Sequence, residues 1–149
     1  AILFAAYIIF TGLRVFRRSV AGIMDEADLG LAREVIAQLE RARLPQWVDL
    51  HNFRMIKYGP VLHIDCHVTL PWYYTLEAAH DEIARIEALV NDLNGREVEL
   101  FIHMDPCIPP SCAICSLQDC PQRKSAFDTQ VVWSLDTSMT NQKHTIHSA

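Results

Sequence analysis

The segment "VLHIDCHVTL", residues 61–70, alternates apolar and polar side chains along its whole length. Successive side chains of a β-strand point to opposite faces of the sheet, so this pattern predicts a strand with one apolar and one polar face. The apolar face carries Leu62, Ile64, Cys66, Val68 and Leu70, and the polar face carries His63, Asp65, His67 and Thr69. We therefore expect one face to be buried in a core and the other to be open.

Two neighbouring segments predict further strands. "VDLHNFRMIKY", residues 48–58, is separated from the first strand by Gly59-Pro60, a strong turn signal that favours a hairpin. "EVELFIHMD", residues 97–105, alternates again. Its predicted apolar face is Val98, Leu100, Ile102 and Met104, and its polar face is Glu97, Glu99, Phe101, His103 and Asp105.

Two amphipathic helices complete the predicted domain. Asp28 can cap the first helix, whose apolar residues Leu31, Val35, Ile36 and Leu39 recur at helical spacing until Pro45. The second helix spans roughly residues 75–94 and stops at Gly95. The order helix, strand, strand, helix, strand predicts an α+β fold in which two helices cover one face of a three-stranded sheet.

Histidines and aspartates are concentrated on the face of the sheet that the helices leave open. His63, Asp65 and His67 lie on one strand, and His103 and Asp105 lie on another. If those strands are neighbours, their imidazoles and carboxylates can converge on zinc or another borderline divalent ion. For any single histidine, an ordinary surface position is the alternative interpretation.

Composition excludes several classes of protein. The chain has 149 residues, 50% of them hydrophobic and 21% charged, which indicates one globular domain. A formal net charge of -5 without a basic stripe argues against a nucleic-acid partner. No nucleophile and base stand at a recognisable spacing, so we do not predict an enzyme.

The N-terminal segment, "AILFAAYIIFTGL" at residues 1–13, contains no charge and is followed by Arg14, Arg17 and Arg18. Thirteen apolar residues are fewer than the roughly 20 of a complete membrane span. The basic residues follow the apolar run, whereas in a signal peptide they precede it. We interpret residues 1–24 as the C-terminal part of a transmembrane helix in contact with lipid, with the following residues in the cytoplasm. A buried helix of a soluble protein is the alternative.

Four of the five cysteines lie within residues 107–120 at the spacing C-x4-C-x2-C-x4-C, namely Cys107, Cys112, Cys115 and Cys120. Such a set can close a tetrahedral zinc site or hold an iron–sulfur cluster, and a redox-active thiol patch is the alternative. We predict a Cys-rich metal-binding loop at residues 107–121.

The tail, residues 122–149, has no sustained hydrophobic period. A short strand fits Val131, Val132 and Trp133, and we expect the last fifteen residues to be mobile.

Two segments resemble a known family. "LHNFRMIKYGPVLHIDCHVTLPWYYTLEAAHDEIARIE" and "VELFIHMDPC" resemble the cytoplasmic domain of the cation diffusion facilitator transporters, and "LFAAYIIFTGLRVFRRSVAGIMDEAD" is similar to that family's sixth transmembrane helix. The resemblance covers about residues 3–107. It implies a ferredoxin-like, metallochaperone-like domain at residues 25–106 that forms a homodimer and binds two metal ions near the dimer contact.

The resemblance also implies a ligand set and a role. Carried over position by position, the family's ligands fall on His51, His67, His80, His103 and Asp105. Asp25 falls where some members have an acidic residue that pairs with a lysine near the membrane. The implied function is regulation by sensing of divalent metal ions, with zinc the expected ion, in a proton-coupled antiporter of the plasma (inner) membrane. The alternative function is a soluble metal-binding or iron–sulfur module, either a metallochaperone or an electron carrier.

Overall fold

The computed structural model of the protein describes residues 2–23, 28–58, 61–91 and 98–145. The turn expected at Gly59-Pro60, the helix stop expected at Gly95 and the acidic residue Asp25 lie outside the described residues.

The described residues form helices and three strands in the predicted order. They are α1 (Ile2–Ile23), α2 (Leu29–Arg41), β1 (Asp49–Tyr58), β2 (Val61–Leu70), α3 (Leu76–Asn91), β3 (Val98–Pro106), a 3-10 helix (Pro109–Ala113) and α4 (Leu135–Ser138). From α2 to β3 this is helix, strand, strand, helix, strand, which confirms the α+β prediction.

The sheet has the strand order β1-β2-β3, with β1 antiparallel and β3 parallel to β2. A parallel neighbour requires a crossover connection, which α3 supplies. The buried face of β2 is the predicted one, since Leu62, Ile64, Cys66, Val68 and Leu70 are each at most 3% exposed. They pack in one core with apolar residues of α2 and α3. The polar face of β2 therefore lies on the side of the sheet away from these helices.

Asp28 caps α2 as predicted. Its carboxylate accepts a hydrogen bond from the backbone N–H of Leu31 at 3.0 Å. Such a cap satisfies one of the donors that a helix leaves free at its start, and contributes about 1 kcal/mol. This fixes the start of the helix whose apolar side covers the sheet.

A β-bulge in β1 decides which way its side chains point. The pairing moves from His51 opposite His67 to Arg54 opposite Asp65, so two residues of β1 face one residue of β2. Asn52 takes a φ of 51° at this place. Because of the extra residue, Phe53 is buried in the core while His51 stays on the open face beside His67.

Met104 departs from the predicted apolar face of β3. Its side chain is 37% exposed, whereas Val98, Leu100 and Ile102 pack against the core. Met104 therefore does not belong to the core, although it shares the predicted face with these residues.

The tail also differs from its prediction. Residues 131–133 form no strand; instead Trp133 is 4% exposed, and the guanidinium of Arg43 lies 4.1 Å from the centre of its ring. Arg43 Nη1 donates to the carbonyl of Val131 at 2.7 Å, and Ser134 caps α4. The tail is therefore packed onto the domain as far as residue 144. No periodic pattern in its sequence predicts these contacts.

Among the described residues, no helix, α1 included, has both the length and the apolar character that crossing a membrane requires.

Candidate metal centre

Three histidines stand in one row across the open face of the sheet. His51 on β1 is paired with His67 on β2, and His67 is paired with His103 on β3. Paired residues point to the same face, and the ring centres are accordingly 5.1 Å and 4.6 Å apart. His51 is buried, His67 is half-buried and His103 is exposed.

Asp105 brings a carboxylate to this row. It lies two residues beyond His103, hence on the same face of β3. Its Oδ2 atom is 3.2 Å from Nε2 of His51 and 3.2 Å from Nδ1 of His67. One ligand atom from each of His51, His67 and Asp105 lies within 4.8 Å of the others, the one such group of three among the described residues.

The spacing and chemistry of these atoms fit a transition-metal ion. Ligands of a tetrahedral zinc ion bind at about 2.0–2.1 Å, which places neighbouring ligand atoms roughly 3.3 Å from each other. The 3.2 Å contacts of Asp105 with His51 and His67 agree with this distance. Two imidazoles with one carboxylate also form a donor set that zinc and similar divalent ions use. His51, His67 and Asp105 can therefore hold such an ion.

Asp49 contacts the ligand His51 and was not among the predicted site residues. Its Oδ2 lies 3.3 Å from Nδ1 of His51, while its Oδ1 lies 2.8 Å from Nδ1 of His144. Burial alone would raise the pKa of Asp49, but its contacts with His51 and His144 outweigh burial and hold the pKa below its usual value. A carboxylate behind a ligating imidazole orients the ring. The signal was present in the sequence, since Asp49 precedes His51 by two positions and shares its face.

Two residues of the tail also contact this site. Nζ of Lys143 lies 3.5 Å from Oδ1 of Asp105 and donates to the carbonyl of Pro106 at 3.0 Å. The backbone N–H of His144 donates to Asp49 Oδ2 at 2.9 Å. Neither residue was predicted at the site, and nothing local in the tail sequence points to it.

The other predicted ligands lie at different distances from this group. His103 Nε2 is 3.6 Å from Asp105 Oδ1 and is not one of the three converging ligands. His80 is exposed on α3, a helix that packs on the opposite face of the sheet. His63 pairs with Glu99 at 3.4 Å.

The cysteines lie at a separate place. Cys107, Cys112, Cys115 and Cys120 line one cavity of about 350 Å³, and all are free thiols. Among the described residues no three of their sulfurs lie within 4.8 Å of one another. The fifth cysteine, Cys66, is in the core, where burial raises its pKa to about 12.

The chain is similar to metal tolerance protein C1 of Arabidopsis thaliana, with 29% identity over 104 residues, or 66% of this chain and 21% of that relative. The chain thus spans about a fifth of the length of this relative.

Three solved structures are also similar. The metal-bound C-terminal domain of the CzcD transporter from Thermotoga maritima has a TM-score of 0.47 and 21% identity, covering 53% of this chain and 90% of that one. The cytosolic domain of a cation diffusion facilitator family protein has a TM-score of 0.46 and 21% identity, covering 53% and 92%. The magnetosome protein MamB C-terminal domain of Desulfamplus magnetovallimortis BW-1 has a TM-score of 0.45 and 15% identity, covering 50% and 91%.

The family described as "Cation efflux protein, cytoplasmic domain" matches residues 31–107. These residues are more than half of the 149 in the chain and include all three strands with His51, His67 and Asp105. The matching family is one of transporters and not of enzymes. The chain therefore belongs to the cation efflux protein family and carries its cytoplasmic domain at residues 31–107.

Proposed function

We propose that this domain senses cytosolic zinc and regulates a zinc exporter. The observation that carries the proposal is the convergence of His51 Nε2 and His67 Nδ1 on one oxygen of Asp105 at 3.2 Å. His51 is buried and Asp49 stands behind it, so this ligand is oriented before any ion arrives.

Electrostatics favours a cation at this place. Asp49 and Asp105 set two carboxylates beside the imidazoles, and the chain carries a formal charge of -5. Lys143 already contacts Asp105, so this carboxylate has a positive partner. A divalent cation held by His51, His67 and Asp105 is attracted by both negative charges as well.

We further propose that two copies of the domain assemble into a homodimer, as the resemblance implies. Phe101 and Met104 of β3 are exposed by 57% and 37% beside the site, and β3 is an edge strand. Apolar side chains at an exposed strand edge favour burial against a partner. His80, if it is a ligand, lies on the other face of its own sheet and would serve a site completed by the second copy.

Sensing requires that the domain hold the ion more tightly in one arrangement of the dimer than in the other, because an ion can shift an equilibrium only by its difference in affinity. The proposed consequence is that the bound ion shifts the conformational equilibrium of the membrane part of the transporter.

In this proposal residues 1–24 belong to the membrane part and contact lipid, and the whole protein is a proton-coupled, multi-pass antiporter of the plasma (inner) membrane. Residues 25–106, 107–121 and 122–149 are the sensing domain, the Cys-rich loop and the tail.

A soluble metallochaperone or electron carrier, the other function considered from the sequence, has less support. The match to the cation efflux family covers the whole sheet and both helices that pack on it, apart from the first residues of α2.

Zinc titration of the chain in detergent, with its accessible thiols alkylated by iodoacetamide, tests the sensing site. We expect zinc to raise the free energy of unfolding by about 2.7 kcal/mol at a free concentration near 100 times Kd. His67→Ala combined with Asp105→Ala should lose most of this gain. His63→Ala, on the same face of the same strand, is the control and should keep it. A double variant that responds to zinc like the parent would show that the site is wrongly assigned.

A further inference from the structure

The Cys-rich loop encloses a cavity of its own, outside the histidine site. Four thiols line it, at Cys107, Cys112, Cys115 and Cys120. The first directly follows β3, the second lies in the 3-10 helix, and the other two follow that helix. All but Cys107 lie beyond the residues that match the family. The cavity, of about 350 Å³, has room for one ion and for the movement of its ligands.

The loop is anchored to the domain at several points. Cys107 N–H donates to the carbonyl of Leu70 at 2.8 Å, which continues the pairing of β3 with β2. Ile114 and Cys115 are buried with Val48 in a small apolar core. The cavity therefore has a fixed wall on the side of the domain.

Arg123 holds the loop together from the other side. Its Nη1 donates to the carbonyl of Cys112 at 2.9 Å, and its Nη2 donates to the carbonyls of Cys115 and Leu117 at 2.9 Å and 2.6 Å. The guanidinium thus cross-links the backbone on both sides of the Cys-x-x-Cys pair. Its positive charge also favours the thiolate form of Cys115.

A backbone donor points at one of the sulfurs. Lys124 N–H donates to Cys112 Sγ at 3.3 Å. An N–H aimed at a sulfur stabilises negative charge on it, as hydrogen-bond donors beside metal-bound thiolates do. Against this, burial raises the pKa of Cys107 and of Cys115, so as free thiols both keep their protons at neutral pH.

The number and kind of ligand atoms around the cavity indicate which metal ion it would bind. Four sulfurs around one cavity match the four-coordinate thiolate sites of zinc, whereas a disulfide framework does not fit, since these cysteines are free. In the described structure no three sulfurs lie within 4.8 Å, so coordination requires the sulfurs to move toward the centre of the cavity.

We propose that Cys107, Cys112, Cys115 and Cys120 hold one thiophilic divalent ion, Zn²⁺, in a tetrahedral site that is separate from the histidine site. Each thiol releases its proton to solvent when its sulfur becomes a ligand. Because Cys107 follows Asp105 by two residues, the ion fixes the end of the strand that carries this histidine-site ligand.

Cobalt titration of the 149-residue chain in detergent and under reducing conditions tests the proposal. Tetrahedral thiolate-bound Co²⁺ gives an intense sulfur-to-metal charge-transfer band that nitrogen and oxygen ligands do not produce. We expect this band in the parent chain and in His67→Ala with Asp105→Ala. We expect its loss in Cys112→Ser with Cys120→Ser, two half-buried positions outside the core clusters. Cys66→Ala, which removes the one thiol outside the cavity, should keep it.

Zinc content gives a second readout. The Cys112→Ser, Cys120→Ser variant should bind about one zinc ion fewer per chain, given four thiolates per tetrahedral ion. A parent chain without the charge-transfer band, or with the same zinc content as this variant, would overturn the proposal. So would a brown chromophore with acid-labile sulfide in protein purified without oxygen, which would assign the loop to an iron–sulfur cluster.

Discussion

The ammonium of Lys143 lies 3.5 Å from Oδ1 of Asp105, the carboxylate whose other oxygen contacts both His51 and His67 at 3.2 Å. A cation of the chain itself therefore lies beside the carboxylate that is proposed to hold a metal ion. Any ion that binds His51, His67 and Asp105 shares this carboxylate with Lys143 or displaces it.

Removing this ammonium should strengthen zinc binding. Lys143→Ala is expected to lower the Kd of the histidine site about 1.4- to fivefold, because a partly exposed ion pair is worth roughly 0.2–1 kcal/mol. Calorimetric titration of the thiol-alkylated chain measures the change. Lys124→Ala, at a lysine of the Cys-rich loop region, is the control and should leave this Kd unchanged. Equal or weaker binding by Lys143→Ala would show that the ammonium does not compete.

Neutralising the carboxylate behind His51 should weaken the same site. Asp49→Asn keeps the shape but loses the charge that orients the imidazole, and we expect a Kd about 10–100 times higher, as when other carboxylates behind ligating imidazoles are changed. Asp65→Asn, which is paired with Arg54 on the same sheet, should have a small effect. Titration gives the Kd, and circular dichroism verifies that both variants fold. An unaltered Kd in Asp49→Asn would remove Asp49 from the site.

The bulge makes a prediction about stability. Asn52 adopts a φ of 51°, which glycine takes without strain and a β-branched residue takes at a cost of about 1–3 kcal/mol. Asn52→Val should therefore lower the free energy of unfolding by that amount and weaken zinc binding, since His51 loses its place beside His67. Asn52→Gly should remain near the parent in both respects. Urea unfolding and zinc titration distinguish the two variants, and equal stability of both would contradict the role given to the bulge.

The exposed edge of β3 makes a prediction about assembly. The parent chain should dimerise with zinc present, and Phe101→Asp should weaken the dimer because it places a charge on an apolar contact surface. Val132→Asp, at an apolar residue of the tail that is 63% exposed, is the matched control and should dimerise normally. Light scattering with saturating zinc gives the mass of each variant. A parent that stays monomeric under these conditions would contradict dimerisation by this surface.

Local patterns in the sequence were sufficient for the elements of the fold. The alternation in residues 61–70 reproduces β2 from Val61 to Leu70, and the capping residue Asp28 is where the structure has it. His67 and Asp105 were placed on the open face because a strand has a period of two. His51 became a candidate through the family resemblance, since the bulge after it breaks that period.

The contacts made by the tail were not accessible in this way. Trp133, Lys143 and His144 show no period, and their partners lie far away in the chain; the pair His144 and Asp49 is separated by 95 positions. Such contacts form only because α2 and the sheet have already created a surface for the tail. Asp49 differs from these tail residues, because its spacing of two positions from His51 would have indicated that it lies beside this ligand.

The late position of Lys143 in the chain has a consequence for biosynthesis. His51, His67 and Asp105 are all translated before the tail, and 37 positions separate Pro106 from Lys143, its hydrogen-bond donor. At about 5–20 residues per second, the ribosome needs roughly 2–8 s to add this segment. The three residues of the histidine site are therefore synthesised seconds before the lysine that contacts Asp105.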